Sequence, residues 1–399
     1  MGCPPRLSLC ANLSPSGHTR EVARGVMFSP FIISFIRSQA VSHRLGRYIV
    51  PLIGFIVACC SLPVNYAQAV RLLPYVPCGK ALSAVQPAAG STLALQRGCT
   101  YSGPLILRAR NVTVTSYGTG SKPVITLNKD GATIVIYGSH DIIKNLSLKG
   151  IAPRRWSCGG TKTPAGHVDG IDIEPGATNN TISHVYATGF YAGVYIKAGA
   201  SGNTIQSSTF NRNLQLDTNN HAASAGAFGV LVWGNGNTIQ YNTIKNNQAC
   251  SLAYGHDGSA IEIYRGSHNL IRSNRAANNS AFTELGSYPG HIATANGFYR
   301  NTITDGAGRL HTTFLITRGS GDPNGPVYKT AVAHNTVKLT RAGDRGAVSY
   351  AWQRGDSTLL TLTNNYLNLG NNQVLYEDGG YIDGGGNTLI GTCNRKSDC

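Results

Sequence analysis

From roughly residue 78 to residue 390, apolar and polar residues alternate in short runs that end at Gly or Asn-Asn, and a helical period is almost absent. The clearest runs are Gly170-Ile-Asp-Ile-Glu174, Gly193-Val-Tyr-Ile-Lys197, Gly229-Val-Leu-Val-Trp233 and Ala260-Ile-Glu-Ile-Tyr264. Alternation sends Ile171/Ile173, Val194/Ile196, Val230/Val232 and Ile261/Ile263 inward, and the third and fifth residues of each run outward. Asn-Thr-Ile or a close variant recurs at Asn180, Asn203, Asn237, Asn269, Asn301 and Asn335, in steps of 23, 34, 32, 32 and 34 residues. Weaker echoes stand at Asn111, Asn364 and Asn387. An Asn at a fixed turn position tolerates left-handed backbone and can hydrogen-bond to its counterpart in the next coil. Repetition at this period predicts one all-β solenoid, a parallel β-helix, instead of the two or three domains that length alone allows.

Stacking the coils in register gives two outward columns. One reads Asp172, Tyr195, Leu231, Glu262 and Glu284; its neighbour reads Glu174, Lys197, Trp233 and Tyr264. Glu262 and Glu284 hold the same place in Ala260–Tyr264 and Phe282–Gly286, 22 residues apart, so one coil sets one directly above the other. Acids can move protons and aromatic rings can stack on sugars, so the columns predict a carbohydrate-binding face. Longer segments at 152–168, 212–228 and 246–259 precede strands of this face, and 285–296 follows the Glu284 strand. They would wall the same columns, as loops on a rigid scaffold do.

These repeats resemble the right-handed parallel β-helix superfamily of pectin-lyase-like proteins over roughly residues 78–390. That superfamily holds polysaccharide lyases, glycoside hydrolases, epimerases, phage tailspikes and adhesins, so the resemblance implies a fold more than an activity. His167-Val-Asp-Gly-Ile-Asp172 is similar to the Asn-Thr-Asp-Gly-Ile-Asp motif of polygalacturonases, which places Asp169 and Asp172 on two acidic positions of that motif. The paired aspartates that should follow are replaced by Thr188-Gly-Phe-Tyr191, and neither Gly-His-Gly nor Arg-Ile-Lys appears.

The chemistry centres on the glutamate pair. Neighbouring strands lie about 4.8 Å apart, close to the about 5–5.5 Å between the two carboxylates of a retaining glycosidase. Like charges this close raise one pKa, leaving an acid and a base at neutral pH. The apolar neighbours of Glu284 make it the expected acid and Glu262 the nucleophile, with Asp257 a further acid or an orienting group. Substrate contacts are expected from Asp169, Asp172, Glu174, Tyr195, Lys197, Trp233, His256 and Tyr264. A hydrolase needs no cofactor. The alternative is a polysaccharide lyase or uronan epimerase, with Lys197, Tyr195, Arg265 or His256 as base and Ca²⁺ held by Asp172 and Glu174. A non-enzymatic glycan-binding surface protein would show outward columns of Thr, Ser and Asn, found only near Leu359-Leu-Thr-Leu-Thr363.

Charge and cysteines place the protein outside the cell. Residues 1–69 read as a leader: Arg44 and Arg47 precede an apolar run at 48–60, too short to span a bilayer and suited to a secretory signal. Ala67-Gln68-Ala69 offers cleavage, and Ile56-Val57-Ala58-Cys59 offers a lipid anchor at Cys59, the one membrane link expected. From residue 70 the chain holds 28 Lys+Arg (34 less 6) against 17 Asp+Glu (18 less 1), a net +11. This bias favours polyanions, and for an exported chain that means acidic polysaccharide before nucleic acid. Six cysteines remain after residue 69, an even number that predicts disulfides without fixing their connectivity; Cys78–Cys99 could staple an N-terminal cap near 78–110, Cys393–Cys399 the end, and Cys158–Cys250 two long loops.

Overall fold

The computed structural model describes residues 75–151, 167–215, 225–251, 255–288, 290–306, 311–351, 353, 356, 359–376 and 381–393. The leader with its apolar run and Cys59, and the partners Cys158 and Cys399, lie outside these residues, as do parts of the three long insertions. Within them the chain is a parallel β-helix. Each coil lays down three strands, and each strand pairs in parallel with its equivalent one coil on.

One face is a 12-stranded sheet whose inward column runs Ile143, Ile182, Ile205, Ile239, Ile271, Phe298, Val332, Leu362. A second face stacks Leu148, Ala187, Phe210, Ile244, Ala276, Ile303, Val337 and Leu367. The third face carries the longer strands, among them Val168–Ile173, Ala192–Ile196, Phe228–Val232, Ser259–Tyr264, Ala281–Gly286 and Thr313–Arg318. Its inward column is Ile171, Val194, Val230, Ile261, Thr283 and Leu315. These side chains are buried, and each aliphatic one contributes about 1.5–3 kcal/mol of apolar transfer. Phe282, Phe298 and Phe314 join the same core, with Phe282 and Phe314 stacked. At the N-terminal end Cys78 and Cys99 form the expected disulfide beside a short 3-10 turn at Leu82–Ala84.

Asparagine is built into the coil more deeply than one residue per turn. Three ladders run along the corners, five residues apart, as in Asn237, Asn242 and Asn247. The first joins Asn180, Asn203, Asn237, Asn269 and Asn296. The second joins Ser208, Asn242, Asn274, Asn301, Asn335, Asn365 and Asn387. The third joins Asn213, Asn247 and Asn279. Asn269 and Asn301, one repeat apart in the sequence, therefore belong to different ladders. The left-handed backbone also falls elsewhere than expected, on the residue before each ladder position, as at Gly236, Tyr241 and Asn246. That turn leaves the next N–H pointing along the helix axis with no strand to pair with. Asn203 N, for example, donates to Asn237 Oδ1 at 3.0 Å, and Asn203 Nδ2 donates to the same oxygen at 3.1 Å.

Asp141 breaks the pattern. Its Oδ1 accepts from Val112 N at 2.7 Å, as a ladder asparagine would, but its Oδ2 is buried without a partner. Burial pushes its carboxyl up to about 6. A group raised on folding stabilises below its unfolded pKa and loses that contribution as pH rises through the folded value. Asp141→Asn supplies the missing amide donor and should stabilise the protein by about 1–3 kcal/mol at pH 8, with a smaller gain at pH 5. Chemical unfolding at the two pH values measures this; an equal change at both, or a loss at pH 8, contradicts it.

Candidate active site

The third face presents the outward columns in the expected register. Asp172 pairs with Tyr195, Tyr195 with Leu231, Leu231 with Glu262, and Glu262 with Glu284. The neighbouring column reaches Tyr264, pairs it with Gly286, and carries on to Arg318 two coils after Tyr264. Gly286 lacks a side chain where Tyr264 needs room: a Cβ there would stand 2.8 Å from the Tyr264 ring. The Tyr264 hydroxyl donates to Asn324, which fixes the ring in that space.

The two glutamates sit in opposite surroundings from those their sequence neighbours suggest. Glu262 is the desolvated one, 9 % exposed, and accepts a 2.5 Å hydrogen bond from Ser259 Oγ. Burial raises its pKa well above the ordinary glutamate value, and the charge of Glu284 adds to this. Glu284 is ion-paired with Arg318, whose other arm reaches Asp322 at 2.9 Å. Burial pulls Arg318 down, but Glu284 and Asp322 outweigh it and leave the guanidinium above its usual value.

Asp257 completes the cluster. It lies on Gly255–Asp257, which pairs antiparallel with Ala249–Ser251, so the segment before the strand is a small hairpin at this point. Burial, then the negative charge of Glu284, pushes Asp257 up to about 7. His256 in the same strand faces His311 at 6.3 Å between ring centres, and burial followed by that neighbour lowers its pKa.

Three coils before Glu262 lies a second polar group. Lys197 Nζ stands 2.8 Å from Asp172 Oδ2 and 2.6 Å from Glu174 Oε1, so an ammonium occupies the place between the two carboxylates. Burial, then the charge of Asp169, pushes Asp172 up to about 7. For Lys197, burial pulls down but the two carboxylates more than offset it and raise it above the lysine norm. Asp169 is 2 % exposed and accepts from Ala192 N and pairs with His167, each at 3.0 Å. It braces the face from beneath and does not line it.

Aromatic rings link the two polar groups. Trp233 contacts Tyr195 at 5.6 Å, Tyr264 at 5.9 Å and Tyr288 at 5.4 Å, and Tyr264 contacts Tyr288 at 4.8 Å. Most of these contacts are edge-on, so the rings pack against one another as a wall rather than lying open as separate platforms. Leu231, outward by register, is covered by Tyr191, Phe228 and Trp233 in a small second apolar cluster. Arg318, Asp322, Tyr288 and Ser259 escaped the sequence reading. Carrying the alternation one strand further, through Thr313-Phe-Leu-Ile-Thr-Arg318, would have found the arginine. Among the described residues, no cluster of three or more His, Cys, Asp or Glu side chains has the arrangement of a metal site.

Stacked parallel coils with one long-stranded outward face define a right-handed parallel β-helix. The family model "Right handed beta helix region" matches residues 109–303. An alginate lyase from Paenibacillus sp. str. FPU-7 is similar in structure, with a TM-score of 0.53 and 14% identity, over 77% of this chain and 99% of that one. The Dettilon tailspike protein is similar at a TM-score of 0.50 and 15% identity, over 76% of this chain and 62% of that one. A GH136 lacto-N-biosidase from Eubacterium ramulus aligns at a TM-score of 0.47 and 12% identity, over 77% of this chain and 63% of that one. No curated sequence matches the chain. At these identities the likeness is one of fold.

The electrostatic arrangement makes a direct prediction. Removing the Glu284 charge should lower the Asp257 pKa from about 7, though not to the free-carboxylate value, because burial is the larger cause. Carboxyl-carbon NMR titration of Glu284→Gln against the parent measures this; an unmoved Asp257 contradicts it.

Proposed function

We propose that the protein is an exported glycoside hydrolase that cleaves a polysaccharide across the Glu262–Glu284 strand pair. The observation that carries this reading is the contrast between two register-paired glutamates, one buried and proton-holding, the other ion-paired with Arg318. A carboxyl group whose pKa is raised by burial, beside a second one ion-paired with arginine, can supply the acid and the nucleophile of glycosidic cleavage. The surroundings favour reversing the roles expected from sequence. Glu284 acts as nucleophile at the anomeric carbon, and the proton for the leaving oxygen comes from the Glu262–Asp257 couple. Water then releases the sugar while that couple takes the proton back. Structural likeness to an alginate lyase and a phage tailspike is compatible with a polysaccharide partner.

A lyase reading keeps one specific support. His256, held toward its neutral form, is suited to proton abstraction beside a uronate. Lys197 and Tyr195 are poor bases here, since both stand above their ordinary values.

A screen of polysaccharides, followed by reducing ends and ultraviolet absorbance together, tests the reading. We expect new reducing ends without absorbance. Glu284→Gln should cost about 10³-fold or more in kcat, and Glu262→Gln and Asp257→Asn at least about tenfold each. A general acid works only while protonated, so kcat/KM should fall as pH rises through about 7, the value for Asp257. Asp257→Asn should move or abolish that limb. Absorbing, unsaturated ends that survive Glu284→Gln contradict the hydrolase and favour His256.

A further inference from the structure

The net charge of the chain is +16, which by itself would steer it to acidic polymers. The cations, however, lie on the other faces. Lys149, Lys245 and Lys338 head outward strand positions on the second face, and Lys144 and Arg272 do so on the 12-stranded face. Arg108 stands in the neighbouring column two coils before Glu174, over the Tyr137 ring; from the Asp172 strand onward the two outward columns of the third face hold four carboxylates, Asp172, Glu174, Glu262 and Glu284, against two cations, Lys197 and Arg318. Each cation is already held between two carboxylates, Lys197 by Asp172 and Glu174, Arg318 by Glu284 and Asp322. Asp257 adds a further acid beside Glu262. Arg265 follows Tyr264 at φ 73°, the left-handed turn where the chain leaves the sheet, so it stands at the corner and not in a column.

Buried polar atoms on this face also lack partners, Arg318 Nε among them. Asp172 Oδ1 is a buried acceptor and Trp233 Nε1 a buried donor, neither with a hydrogen bond, and Asp172 is more than nine-tenths buried. Hydroxyl groups can serve both, as donor to one and acceptor from the other; a carboxylate cannot donate to Asp172.

We propose that the glycan bound along this face is uncharged, a neutral polysaccharide whose hydroxyls pair with Asp172 and Trp233 on the non-reacting side of the Glu262–Glu284 site. This deepens the hydrolase reading and rests on it. From the Asp172 strand to the Glu284 strand are four register steps, about 19 Å at about 4.8 Å each, room for several sugar rings. A uronate laid between the Asp172 and Glu284 strands would set its carboxylate against acids, where the cations of that stretch, Lys197 and Arg318, are already ion-paired, an arrangement that disfavours ligands of like charge.

The test uses the full chain carrying Glu262→Gln, which leaves the Glu284–Arg318 ion pair in place, and pairs of oligosaccharides that differ only in charge: oligogalacturonate and oligoalginate, each beside its carboxyl-reduced form. Calorimetric titration at low and high salt reads the affinities. In at least one pair the reduced member should bind about tenfold tighter or more, with little change on adding salt. Glu174→Gln, which loosens Lys197, should improve binding of the uronate member and narrow that ratio. Tighter uronate binding that weakens with salt, a ratio that Glu174→Gln leaves unmoved, or no binding by either member of any pair would each overturn the proposal. Failure of the hydrolase reading looks different: neutral glycans would bind, but the unsubstituted chain would release no reducing ends from them.

Discussion

The hydrogen bond from each corner N–H to the asparagine one coil away is the constraint on which the rest of this structure depends. A coil turns its corner through a left-handed residue, and the following N–H then has no strand partner inside the helix. An amide oxygen on the next coil accepts it, while the same amide donates back, as Asn242 does to Ile205 O at 2.9 Å. Leaving such groups unpaired would cost about 1–3 kcal/mol each, so three ladders of them fix where every coil begins. A slip of one residue would put the whole inward column outside.

Register made this strict is what gives the outward face its chemistry. Glu262 and Glu284 face each other because their strands are locked, Ile261 to Thr283 and Ile263 to Leu285 on either side. Once adjacent, the two carboxyl groups differ only through their surroundings. Glu262 is buried and accepts from Ser259, and Arg318 comes to Glu284 from the next strand. The same logic places Lys197 between Asp172 and Glu174, so Lys197 and Arg318 are both paired before any ligand arrives.

Much of this was legible in the sequence because a solenoid turns spacing into distance. The inward isoleucines and the columns followed from alternation and repeat, and the Cys78–Cys99 disulfide from the even count of cysteines. Reading failed where environment came from elsewhere in the chain. Glu284 looked apolar from Phe282 and Leu285, yet its partner Arg318 is 34 residues away. Asn301 looked like the successor of Asn269, but that place belongs to Asn296 in Asn-Gly-Phe, which the Asn-Thr-Ile pattern does not capture. Asp169 matched an acidic motif position and turned out to brace the backbone of Ala192. Net charge says how many cations there are and nothing about which face carries them.

The most direct test of the account is the anomeric form of the first product, followed by proton NMR as the polysaccharide is cleaved. Glutamates on adjacent, register-paired strands, with Glu284 as nucleophile, predict a product that first appears with the anomeric configuration of the bond that was broken. The opposite anomer would mean that water attacks directly from a wider site, and a double bond in the new non-reducing end would mean elimination; either result contradicts the paired-glutamate mechanism.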